Sequence, residues 1–157
     1  LHNLEPGKNL WLLSTGTGLA PFLSIIKDPT VYERFDRVIL THTVRNKNEL
    51  VCGEKALEDL KANEYIGELA AEKLMYYPTV TREPFRNEGR ITDLIRSGKV
   101  FADLGLEPLN TADDRVMICG NPHMTAELTK YMEDQGFEMG ANNKPGTFVI
   151  EKAFAQR

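Results

Sequence analysis

Cysteine is scarce in this sequence, with only Cys52 and Cys119 in 157 residues and no metal-ligand spacing between them. That excludes a disulfide framework and a thiolate metal cage, and a chain this long needs neither to hold a core. No apolar run approaches the roughly 20 residues of a membrane-spanning helix, and no signal peptide is visible. Positive charge is not in excess either. The formal net charge is −4, which argues against a wholesale nucleic-acid footprint. The three histidines, His2, His42 and His123, form no constellation and are assigned no role. Internal repeats and low-complexity segments are absent. The expectation is a single globular domain in a reducing cytoplasm, with neither a membrane nor a nucleic acid as partner.

What is present is an alternation of two periodicities. Apolar runs suited to strands fall at 10–13, 37–43, 74–81, 115–119 and 147–154. Between them lie helical patterns at 21–27, about 53–63, 66–73, 91–97 and 122–135, while 99–114 reads as irregular. Asp28-Pro29 reads as the stop of the first helix. Val38, Ile39 and Leu40 form the continuous apolar run of a parallel strand buried on both faces. Pro78 cannot donate to a ladder, so the third strand is expected at a sheet edge or paired on one side only there. Together these features predict an α/β domain, a doubly wound, mostly parallel five-stranded sheet of order 3-2-1-4-5 and Rossmann-like type. Its switch point lies between strands one and four, where ligands bind in such sheets.

The loops flanking that point are 15–18 and 120–122, both marked by glycine. In Leu12-Leu13-Ser14-Thr15-Gly16-Thr17-Gly18-Leu19-Ala20-Pro21-Phe22 a buried strand runs through a tight turn into a helix. Two glycines let a ligand approach the backbone, and the helix start presents N–H groups and partial positive charge, suited to a pyrophosphate. Pro21 suits the first helical position. It also stands where a third glycine would complete a dinucleotide fingerprint, so by itself the stretch reads equally as an ordinary βα turn.

Arginines supply the next signal. Strand two ends in His42-Thr43-Val44-Arg45 with no carboxylate before Glu49, strand three ends in Thr81-Arg82, and Arg90 opens the following helix. Sites for a nicotinamide dinucleotide without the extra phosphate place an acidic residue after strand two, and those for its 2′-phosphate form use arginine. Guanidinium forks match phosphate oxygens.

Five segments carry a resemblance that reaches nearly end to end. They are the glycine stretch 12–22, Thr79-Val80-Thr81-Arg82-Glu83-Pro84-Phe85, Gly89-Arg90-Ile91-Thr92, Met117-Ile118-Cys119-Gly120-Asn121, and Val149-Ile150-Glu151-Lys152-Ala153-Phe154. With them the chain resembles the C-terminal NADP(H)-binding domain of bacterial ferredoxin (flavodoxin)–NADP+ reductases. The resemblance implies that Thr15, Gly16, Thr17 and Gly18 cradle pyrophosphate and ribose, facing Gly120 and Asn121. It implies that Arg82 and Arg90 hold the 2′-phosphate with Thr81 assisting, and that Arg45 lines the nucleotide path. Cys119 would stand beside the nicotinamide where hydride passes to FAD, with Glu151 near the same point. Ala153 and Phe154 would meet the flavin. Read from the residues alone, a cysteine ending a buried strand such as Cys119 is usually inert packing, Phe154 reads as well as strand core and Glu151 as a solvated charge.

The resemblance also implies what lies outside this stretch. The family holds FAD in an N-terminal barrel domain, and no six-stranded barrel is encoded here. Residues 1–9 therefore read as a linker from that domain and 10–157 as the NADP(H)-binding domain, with ferredoxin or flavodoxin as the electron partner. This piece alone is expected to bind NADP(H) without turnover. Two other readings stand beside it: the NAD(P)H-binding module of another flavin reductase, such as an oxygenase or cytochrome reductase component, or a non-catalytic nucleotide-binding module.

Overall fold

Five strands form one parallel sheet in which the third, second, first, fourth and fifth strands in chain order lie side by side, and that order places the ends of the first and fourth next to each other. The computed structural model describes residues 3–141 and 143–151. The strands are β1 (Asn9–Thr15), β2 (Arg37–Val44), β3 (Leu74–Val80), β4 (Asp114–Cys119) and β5 (Phe148–Ile150). The expected topology is the one observed.

Alternation along β1 shows why two helical layers are needed. Leu10 and Leu12 enter one core, and Trp11 and Leu13 enter the other. The first face is covered by α1 (Leu19–Ile26), α2 (Pro29–Arg34), α3 (Val51–Lys61) and α4 (Gly67–Lys73). The second is covered by α5 (Ile91–Ser97), α6 (Lys99–Leu104) and α7 (Pro122–Asp134). Connections from β1 run over one face and those from β4 over the other. A crevice must therefore open where they part.

Four local readings are corrected. Pro21 occupies the third helical position of α1, which starts at Leu19; its missing N–H still falls in the first turn, where no intrahelical partner exists. Asp28-Pro29 ends one helix and also begins the next, because the Asp28 carboxylate accepts the Thr30 N–H at 3.0 Å and Pro29 stands in the first turn of α2. Part of the stretch read as irregular, 99–104, is α6; its Val100 and Phe101 are buried, and Phe101 packs edge-on against Trp11 with ring centroids 5.5 Å apart. The fifth strand is three residues long, with one more ladder bond from the Glu151 N–H to the Ile118 carbonyl at 2.8 Å. Residues 152–157, with Ala153 and Phe154, lie outside the described residues.

At the other end of the chain, the described part of segment 1–9 packs onto the domain. Leu4 is buried, the Glu5 N–H donates to Gly146, and the buried Arg115 guanidinium donates to the Glu5 carbonyl at 3.3 Å. Asn9 already belongs to β1. As expected for its proline, β3 is an edge strand whose one strand neighbour in the sheet is β2, with a single further bridge from Val80 to Glu88 of the following loop. Among the described residues no helix is long and apolar enough to cross a membrane.

Candidate functional site

A cleft of about 450 Å³ opens at the C-terminal ends of the strands, over the β1/β4 junction. Its floor is the turn after β1, where Gly16–Gly18 form a single tight helical turn before α1. Gly16 has a φ of 47°, in the region open mainly to glycine, and a Cβ there would meet nothing within 4 Å. The backbone at Gly16 is thus bare toward open space. No side chain caps α1; its leading Leu19 N–H is given to the turn carbonyls of Gly16 and Thr17, so the turn and the helix start form one unit.

Gly18 serves a different purpose. A Cβ there would lie 2.2 Å from the Cys119 carbonyl oxygen, because the turn after β1 presses on the end of β4. Thr15 ties the same two loops together. Its hydroxyl oxygen accepts the Asn121 backbone N–H at 3.0 Å, while the Asn121 side chain caps α7 by accepting the Met124 N–H at 2.8 Å.

The opposite rim is built by backbone pairing past the strand ends. The Thr81 N–H donates to Val44 and the Arg82 N–H to Arg45, both at 3.0 Å, so Arg45 and Arg82 leave the sheet as neighbours. The loop then folds back. The Val80 N–H donates to Asn87 and the Gly89 N–H returns to Val80, each at 3.1 Å, with Gly89 at a φ of 116°. This return brings Arg90, at the start of α5, to the rim beside Thr81. Val44, Leu50 and Val80 form a small apolar cluster of their own, with Phe85 packed on it.

The cleft therefore gathers Thr15, Gly16, Thr17, Arg45, Thr81, Arg90, Gly120 and Asn121 from the sequence reading. Arg82 is exposed on the rim loop and is not among the lining residues. Nor is Cys119, whose thiol is fully buried in the core under α1–α4. Burial, reinforced by the Glu151 charge, pushes that thiol up, so it stays protonated and is no ready nucleophile. Glu151 is half-buried just after β5.

Sequence reasoning passed over several lining residues, among them Thr43, Ile91, Met124 and His123. Arg90 is ion-paired with Glu127 of α7, and His123 Nε2 lies 3.3 Å from the same carboxylate oxygen. Glu49 also lines the cleft, and one of its carboxylate oxygens is taken up by the Asn46 N–H at 3.0 Å. His42, given no role from sequence, lies buried under the turn with Nε2 2.9 Å from the Gly16 carbonyl oxygen. No cluster of three metal-ligating side chains occurs among the described residues.

His42 makes the fold sensitive to acid. Burial holds its imidazole below the ordinary value near 6.5, and only partly do the Gly16 carbonyl and the Glu49 charge oppose this. A folded-state pKa below the unfolded one gives stability that is present above about pH 6.5 and lost as pH falls from there. The melting temperature is expected to fall between pH 7 and pH 5, and to fall less in His42→Gln. Equal slopes in the two proteins, followed by circular dichroism, would contradict this.

A family model described as the oxidoreductase NAD-binding domain matches residues 12–130. The chain belongs to that family. Among curated relatives, it is 53% identical over 155 residues to ferredoxin–NADP reductase A of Sorangium cellulosum, covering 99% of this chain and 56% of that protein. It is also 53% identical over 156 residues to ferredoxin–NADP reductase of Azotobacter vinelandii, covering 99% of this chain and 60% of that protein. A crystal structure of a ferredoxin NADP+ reductase from Neisseria gonorrhoeae with bound FAD and NADP superposes with a TM-score of 0.82 at 31% identity, over 98% of this chain and 59% of that one. The resemblance read from the five segments is borne out. The chain spans 56–60% of the length of these curated relatives. In this NAD-binding family member the glycine turn and the arginine rim face one another across a single cleft.

Proposed function

We propose that this chain is the NADP(H)-binding part of a flavin-dependent ferredoxin or flavodoxin–NADP+ reductase. The observation that carries the proposal is the pairing of cationic side chains, Arg45 and Arg90, with a bare glycine turn in one cleft. The turn and the start of α1 receive the pyrophosphate. Arg90 and Arg82, helped by Thr81, receive the 2′-phosphate, and Arg45 lines the path between them. The resemblance assigns Cys119 and Glu151 to the nicotinamide end; the Cys119 thiol, protonated and buried beneath the turn, acts there only as packing under the site. The residues assigned to the flavin contact, Ala153 and Phe154, fall outside the described part of the chain. FAD, when held by the rest of the polypeptide, supplies the exchange between hydride and single electrons; this chain binds and orients the nucleotide. The partner would be ferredoxin or flavodoxin, in the cytoplasm. Both relatives are named as ferredoxin–NADP reductases, and the solved neighbour holds FAD and NADP.

Calorimetric titration of the chain with NADP+ and NAD+ tests the reading. NADP+ is expected to bind at least about tenfold more tightly, the smaller end of what a charge-assisted phosphate contact contributes. Equal affinities would favour the NADH-using reductase module instead, and no binding of either would remove the nucleotide assignment.

A further inference from the structure

The buried histidine beneath the glycine turn is left unexplained by the proposed function. His42 pairs in register with Ser14 of β1 and Pro78 of β3, so it sits between two strands just before the sheet ends. Its Nε2 is 2.9 Å from the carbonyl oxygen of Gly16, which belongs to the turn lining the cleft. A carbonyl only accepts, so the proton must be on Nε2. The other ring nitrogen, Nδ1, is buried without a hydrogen-bond partner among the described residues, as is the Tyr76 hydroxyl. Both face the side of α3 where Gly53 lacks a side chain: a Cβ there would lie 3.3 Å from the Tyr76 oxygen and 3.9 Å from Nδ1. The Glu49 charge acts on the ring against burial, and burial outweighs it.

The Gly16 carbonyl and the Thr17 N–H share one planar trans peptide and point in opposite directions. Whatever fixes the carbonyl therefore fixes the donor. The carbonyl is held at two points, by the Leu19 N–H that opens α1 and by His42. His42 is absent from the lining of the cleft, while Gly16 and Thr17 both line it. The ring meets the turn instead from an adjoining pocket, which it lines with Gly16, Thr17 and Cys52.

We propose that His42 is a positioning residue for the phosphate-binding turn, its Nε2–H holding the Gly16 carbonyl down so that the Thr17 N–H faces the pyrophosphate. The inference rests on the nucleotide reading above and adds to it a residue that touches no part of the ligand. It also gives the tautomer a purpose. A proton on Nδ1 instead would set two acceptors against each other, and the Leu19 N–H alone would hold the peptide.

The two amide isosteres of histidine separate this role from general support of the fold. Glutamine can place its amide nitrogen near the position of Nε2, and asparagine places its own near Nδ1. The full chain, His42→Asn and His42→Gln are titrated calorimetrically with NADP+ and with 2′-AMP, which keeps the 2′-phosphate and lacks the pyrophosphate. His42→Asn is expected to bind NADP+ about five- to tenfold more weakly, the size of one lost hydrogen bond. It should bind 2′-AMP like the parent, and His42→Gln should bring NADP+ affinity back to within about twofold. Unchanged NADP+ affinity in His42→Asn would overturn the proposal, as would equal losses for the two ligands, which would mark a merely structural residue. Failure of the parent to bind NADP+ would bring down the nucleotide reading and this proposal with it, and is distinct from either result.

Discussion

Replacing Arg90 with alanine is expected to weaken NADP+ binding about 10- to 100-fold while changing NAD+ binding by less than about twofold. A guanidinium meeting a phosphate dianion makes charge-assisted hydrogen bonds worth about 1.5–3 kcal/mol, and only one of the two coenzymes carries the 2′-phosphate. The arginine is partly exposed at the cleft, with 43% of its side-chain surface open, so it can reach a ligand without rebuilding the core. Its removal has a second consequence. Glu127 would lose its arginine partner and keep only His123, 3.3 Å away, leaving more negative charge near the incoming phosphate. Arg90→Ala combined with Glu127→Gln should therefore recover part of the lost NADP+ affinity and leave NAD+ affinity within about twofold of the parent. Arg82→Ala is expected to act in the same direction with a smaller effect, since that side chain is exposed outside the lining. Calorimetric dissociation constants for both coenzymes decide it. Loss of NAD+ binding in parallel with NADP+ would show that Arg90 supports the cleft rather than reads the phosphate.

Gly18→Ala is expected to be the most destabilising single-methyl change in the turn. The added Cβ would stand 2.2 Å from the Cys119 carbonyl oxygen, 2.6 Å from its carbon and 2.9 Å from the Gly120 Cα, all of them backbone atoms that cannot swing aside. Either β1 or β4 must shift. Overpacking of this kind costs about 3 kcal/mol, which lowers the melting temperature by roughly 6–12 °C in a domain of this size. Gly16→Ala is the informative contrast. Space there is open, and the penalty is the positive φ of 47°, about 1 kcal/mol. Thermal melts of the two variants should therefore differ by several degrees, with Gly18→Ala the lower. A reversed order would mean that the turn, not the junction between the strands, is the rigid element.

The two glycines show how much of the site could be read in advance. Their spacing after a buried strand marks a turn, and Pro78 marks an edge, because both signals act through the residue's own backbone. The reason Gly18 must be glycine lies 101 residues further along the chain, in the carbonyl of Cys119. Arg45, Thr81 and Arg90 could be picked out as strand-end and helix-start residues. That Arg90 returns to the rim depends on the fold-back of the loop onto Val80, and that it is held by Glu127 depends on α7 lying against α5. The helix at 99–104 escaped notice because it is only six residues long and its burial comes from Trp11 on a distant strand.

By itself the sequence determined the five strands and most of the helices, the parallel sheet with its proline-marked edge, and the pairing of a glycine turn with arginine-bearing strand ends. These follow from periodicities of two and about 3.6 residues and from the conformational limits of glycine and proline, which act over a few neighbouring positions. The tertiary structure alone decided that His42 bonds the Gly16 carbonyl, that Cys119 lies beneath the turn rather than in the cleft, and that Glu127 meets Arg90. Each of these joins residues far apart in the chain or on separate elements. Such contacts are set by how two layers of helices close on a twisted sheet, and no local pattern records them.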